Sequence, residues 1–103
     1  MGENGGMTEL DPARVLAAVA TDPQLRVFVR DGVIAVMPSR QARRRLLLNE
    51  VAQAFEPGVH YSEQTVSLFL RQVYADYAAL RRYLVDEQFL DRKDGEYWRC
   101  GGG

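Results

Sequence analysis

Between Ser39 and Trp98 the hydrophobic positions recur at helical spacing in three blocks, each preceded by a helix-opening residue. Leu47, Leu48, Val51 and Phe55 share one face of a segment opened by Pro38-Ser39 and closed by Pro57-Gly58, which predicts a helix over 39–55. Ser62 caps a second helix in which Val66, Phe69, Leu70 and Val73 stand at i, i+3, i+4 and i+7. Asp76 caps a third, with Leu80 and Leu84 inward and its end near Glu87. Val59-His60-Tyr61 between the first two helices reads as a brief extended segment. Phe89 to Arg99 reads as a hairpin in which Asp94-Gly95 favours a type I′ turn and Leu90 and Tyr97 face the core.

The preceding stretch is less regular. Asp11-Pro12 opens a helix to about Ala20, with Val15, Leu16 and Val19 along one side and Leu10 placed to staple it. Asp22-Pro23 repeats the signal, and Leu25, Phe28 and Val29 predict a short helix over 23–30 followed by a strand at 33–36. Arg30-Asp31-Gly32 between two valine-rich runs also reads as a hairpin turn, the helix and strand being the preferred reading. Residues 1–9 and 100–103 are Gly-rich and polar and read as tails, leaving an N-terminal segment over 10–38 and a domain over 39–99.

Helix, short strand, helix, tight connection, helix and hairpin is the order of a winged helix-turn-helix. The predicted class is therefore mainly α with a small β-hairpin (α+β), extended by one or two N-terminal helical elements. Each of the three helices has one apolar stripe, and three stripes close a single small core.

The same region resembles a known family. Pro38-Ser39, Arg45-Leu46-Leu47-Leu48, Phe55-Glu56-Pro57-Gly58, Tyr61-Ser62-Glu63 and Asp76 carry part of the likeness. Leu80-Arg81-Arg82-Tyr83-Leu84-Val85-Asp86, Asp94-Gly95 and Tyr97-Trp98-Arg99 carry the rest. Together they resemble the bacterial domain of unknown function DUF2087, over roughly residues 28–99. The resemblance implies a setting in transcriptional regulation, because that domain often follows a helix-turn-helix of the arsenic-repressor type. The thirty or so residues before the likeness are too few for a full preceding helix-turn-helix.

Composition narrows the classes. A chain of 103 residues, 47% hydrophobic and 26% charged, suits one small globular domain. One cysteine excludes a disulfide scaffold, and no apolar run is long enough to span a bilayer. The start lacks the basic and apolar regions of a signal peptide, so the expected location is the cytoplasm, with no membrane partner. Net charge is −1, which weighs mildly against a dedicated nucleic-acid binder. Residues 1–38 hold 3 basic and 5 acidic groups and residues 39–103 hold 10 and 9, so any DNA-facing surface is a local patch.

Catalytic chemistry has little to draw on. His60 and Cys100 are the sole imidazole and thiol, and Cys100 adjoins a glycine tail that would not hold precise geometry. The pair is also too sparse for a metal sensor, and neither Pro57-Gly58 nor Asp94-Gly95 is a phosphate loop. The expectation is no enzyme, no metal and no cofactor.

Candidate binding residues lie on the third helix. With Leu80 inward, Ala78, Arg82, Val85 and Asp86 fall on the opposite side and Arg81 at the shoulder. In a helix-turn-helix that outer face enters the major groove, where Arg reads guanine. The alternative is a solvated face, Arg82 pairing with Asp86 and Arg81 bracing Asp76 or Glu50. Arg40, Arg43, Arg44 and Arg45 open the first helix against its dipole, which points to phosphate contact or to acidic partners such as Asp31 or Glu3. Arg92, Lys93 and Arg99 on the hairpin are candidates for backbone contact. Leu46 and Leu68 stand off their helices' apolar faces, and Trp98 points away from Leu90 and Tyr97. These three mark a second buried surface, formed by the N-terminal helix packing back or by a homodimer or protein partner. Two functions follow: a small regulator binding duplex DNA through helix 76–87, or a protein-interaction winged helix that does not touch DNA.

Overall fold

The computed structural model describes residues 10–100. Four α-helices are joined by two small antiparallel sheets, a mixed α+β arrangement. Helix α1 (Pro12–Thr21) starts where its cap requires, the Asp11 carboxylate accepting from the Ala13 and Arg14 amides at 3.1 and 3.3 Å. It packs back on α2 (Gln41–Ala52) and buries Val15 and Val19, so the chain covers its own N-terminal helix.

Residues 23–36 differ from the expected short helix and strand. A single 3₁₀ turn over Arg26–Phe28 leads into a hairpin of β1 (Val29–Arg30) and β2 (Val33–Ile34). Local chemistry accounts for this. Asp22 closes the turn at Gln24, Leu25 and Arg26 through its side chain and carbonyl. Asp31 and Gly32 both adopt left-handed φ, 52° and 80°, as a type I′ turn requires. The tertiary anchor is the Ile34 amide, which donates to the Val73 carbonyl at 3.0 Å, β2 bridging Tyr74 in parallel.

Helix α2 is shorter than the predicted 39–55 at both ends. Arg40 is its cap residue, and the chain leaves it through tight turns at Ala54 and Phe55 that still bury Phe55 completely. Then come β3 (Tyr61–Ser62), α3 (Glu63–Arg71), α4 (Tyr77–Asp86), β4 (Leu90–Lys93) and β5 (Glu96–Arg99). The caps are those expected: the Ser62 hydroxyl accepts from the Thr65 amide and the Asp76 carboxylate from the Ala79 amide, each at 3.1 Å. Asp94 and Gly95 turn the hairpin with φ of 54° and 79°.

β3 joins that hairpin, giving a three-stranded sheet in the order β3-β5-β4. Its register pairs Tyr61 with Tyr97 and Arg92 with Tyr97. Side-chain alternation turns Leu90, Arg92 and Tyr97 toward the helices and Asp91, Glu96 and Trp98 away. One continuous core runs from Val15, Val19, Leu25 and Ile34 through the α2 and α3 stripes to Leu80, Leu84, Leu90 and Tyr97. Phe55 is its aromatic centre, meeting Tyr61 and Phe69 edge-on at 5.2 and 5.6 Å.

Candidate nucleic-acid interface

Helix α4 is held from three sides, and the way it is held determines which of its residues face outward. Leu80 and Leu84 are fully buried and fix its rotation. Arg82 and Asp86 are consequently exposed, with Ala78 and Val85 half-buried beside them. Among the described residues no ion pair joins Arg82 to Asp86. Arg81, at the shoulder, donates through Nη1 to the Ser67 hydroxyl on α3 at 2.6 Å, rather than to Asp76 or Glu50.

The hairpin completes the surroundings. Ala78, Arg81, Arg82, Val85 and Asp86 form one wall of an open cleft of about 140 Å³, and Arg92 and Tyr97 form the other. The Arg92 guanidinium lies over the Tyr97 ring at 5.7 Å from its centroid, inside the reach of about 6 Å for such contacts. Tyr97 is itself anchored, its hydroxyl donating to Glu63 Oε1 at 3.1 Å. Burial and the Glu63 carboxylate push the Tyr97 phenol above its ordinary value, so it stays protonated at neutral pH. Lys93 is exposed beside the turn.

The arginines of α2 have a different use. Arg44 Nε meets Glu87 Oε2 at 3.2 Å, its Nη1 reaches the Pro38 and Ser39 carbonyls, and its guanidinium lies 5.0 Å over the Tyr83 ring. Arg45 Nη1 meets Glu87 Oε1 at 3.0 Å and the Glu87 carbonyl at 3.1 Å, and stacks 4.7 Å over Phe89. Glu87 follows the last residue of α4, so two cations clasp the carboxylate and carbonyl at the negative end of that helix. Burial raises the Glu87 carboxyl, and the hydrogen bonds and charges of Arg45 and Arg44 more than reverse this, leaving it below its ordinary value. Arg43 donates to the Gln24 carbonyl at 3.1 Å. The cationic start of α2 is thus occupied largely by internal partners, and neither Asp31 nor an open phosphate site is needed to explain it; Glu3 lies outside the described residues. Sequence reasoning missed Glu87 because its partners stand more than forty positions away.

Arg99 is likewise internal, bonding the Phe55 carbonyl and the Gln53 amide oxygen at the end of α2. Leu46 and Leu68 are 39% and 46% exposed, so the returning N-terminal helix does not cover them. Trp98 is half-buried, stacked flat on His60 at 4.4 Å and 10°, with His60 Nδ1 3.1 Å from Glu96 Oε1. Cys100 donates to the Gln88 carbonyl at 2.9 Å. Among the described residues no group of three or more His, Cys, Asp or Glu could hold a metal, and no helix is long and apolar enough to cross a membrane.

A family model for an uncharacterized protein conserved in bacteria, DUF2087, matches residues 33–99. The chain belongs to the DUF2087 family. No curated protein and no solved structure matches it. The DUF2087 match begins at Val33 in β2 and ends at Arg99 in β5, so it takes in every element that builds the cleft and the Glu87 clasp.

Proposed function

We propose that this DUF2087 chain is a winged-helix module that binds duplex DNA, acting as a small regulator or accessory regulator of transcription. The observation that carries the reading is topological. The element order helix, strand, helix, helix and hairpin, with the sheet ordered β3-β5-β4, supports a winged-helix reading, in which α4 would be the reading helix and β4–β5 the wing. The outer face of α4 suits that role. Arg82 is a long exposed donor flanked by small Ala78, which permits close approach, and by Val85, which offers apolar contact to a thymine methyl. Arg81, Arg92 and Lys93 add positive charge alongside, and Arg43 and Arg44 play a secondary part at most because their guanidiniums already hold protein partners. The chain is read as non-catalytic.

The test is binding to random duplex DNA across a salt series. A DNA binder loses affinity steeply as salt rises, and Arg82→Ala weakens a selected site by about 1–3 kcal/mol if Arg82 reads a base. An absent or salt-independent signal would defeat the proposal. It would leave the second reading, a protein-interaction module, which the exposure of Leu46 and Leu68 favours.

A further inference from the structure

The cleft between α4 and β4 has a chemistry of its own. Three guanidiniums, those of Arg81, Arg82 and Arg92, line it against one carboxylate, that of Asp86. This concentrates two net positive charges in one concavity of a chain whose net charge is −1. Such local reversal focuses an attractive field for anions.

The donors are also partly preorganised. Arg81 spends one donor on the Ser67 hydroxyl, which tethers one nitrogen of its guanidinium and leaves its other N–H groups for an occupant. Arg92 is laid on the Tyr97 ring, and that ring is held because its hydroxyl is committed to Glu63. Two arginines from different elements are thereby positioned before anything binds, and Arg82 stands exposed at the rim. Planar forks lining one cleft suit an acceptor with several oxygens, which is a phosphoryl group, better than they suit a single carbonyl.

The geometry points to a seat for one phosphoryl group between α4 and β4, bonded by Arg81 and Arg92, with Arg82 at its rim. The seat rests on the DNA-binding reading only for the source of that group, which is either a backbone phosphate of a duplex or a free phosphate-bearing molecule. When the group is a backbone phosphate, it fixes the register of α4 in the groove and leaves base reading to the outer face.

The direct probe is inorganic phosphate, titrated into the isotope-labelled full chain at constant ionic strength and followed by NMR. Saturable shifts confined to Ala78, Val85, Tyr97 and the Arg81, Arg82 and Arg92 side chains are expected. Arg92→Ala weakens the binding about tenfold, the loss of one charge-assisted contact. Asp86→Asn strengthens it, a sign that a merely structural role for the cleft would not produce. Melting curves confirm that both variants remain folded. Duplex DNA then identifies the source. A salt slope lower by about one unit in Arg92→Ala assigns the seat to a backbone phosphate. Phosphate shifts without duplex binding, or with an unchanged slope, assign it to a free phosphate compound. Shifts that sodium chloride reproduces, or that spread evenly over Arg40, Arg43 and Lys93, overturn the seat even where the wild type binds duplex DNA.

Discussion

Replacing Glu87 with Gln removes the charge from a carboxylate whose side chain is only 9% exposed, while keeping its shape and one acceptor oxygen. Arg44, 16% exposed, and Arg45, 40% exposed, then face each other across a neutral amide. Deleting one partner of a fully buried pair costs about 3–5 kcal/mol. Here Arg45 is partly solvated, Arg44 keeps the Pro38 and Ser39 carbonyls, and the amide still accepts one bond, so the cost falls to about 1.5–3 kcal/mol. For a domain of this size that lowers Tm by roughly 6–24 °C, read by circular dichroism at pH 7. The pH dependence supplies a sharper check. Glu87 titrates lower in the folded state than in the unfolded chain, so its ionised form contributes stability above the unfolded value of about 4.3. That contribution disappears as pH falls through the depressed folded value. The gap in Tm between wild type and Glu87→Gln is therefore full at neutral pH and closes in acid, where carboxylates common to both proteins cancel. A gap below a degree at pH 7, or one that persists unchanged in acid, would refute the clasp as a stabilising device.

Phe69→Ala removes a ring packed edge-on against Phe55 and costs about 3–5 kcal/mol, leaving the protein partly unfolded at 37 °C; a melt matching wild type would contradict the placement of the α3 stripe. Gln88, which ends α4 with a left-handed φ of 67°, is a position where Gly relieves backbone strain, so Gln88→Gly raises Tm, by up to about 1 kcal/mol of stability. Leu68→Asp leaves the melt within about 0.5 kcal/mol of wild type because the side chain is already half in water. If the protein-interaction reading holds, the same change abolishes self-association or partner capture in sedimentation experiments.

How much was legible in advance depended on the range of the interaction. Local signals carried almost the whole secondary structure. The Asp11, Ser62 and Asp76 caps, the Val66–Val73 stripe and the Asp94-Gly95 turn are each decided within a few residues, and each stands where the pattern placed it. The core face of α4, and with it the exposure of Arg82, also followed from periodicity alone. Residues 23–36 were ambiguous because Arg30-Asp31-Gly32 suits both a helix end and a hairpin; the local bonds of Asp22 and the left-handed Asp31-Gly32 turn form the hairpin, and a distant group, the Val73 carbonyl that receives the Ile34 amide, anchors it.

What only the tertiary structure decided is the partner of each charge and the order of the strands. The sequence of hydrophobic and capping residues determined four helices, their inward faces and a C-terminal hairpin, because those depend on the period of the backbone and on hydrogen bonds a few residues apart. It carried no sign that Arg44 and Arg45 meet Glu87, that Arg81 turns to Ser67, that Trp98 lies on His60, or that Arg92 closes a cleft with α4. Long cationic side chains reach any acceptor that packing brings near, and packing across forty residues leaves no local mark on the chain.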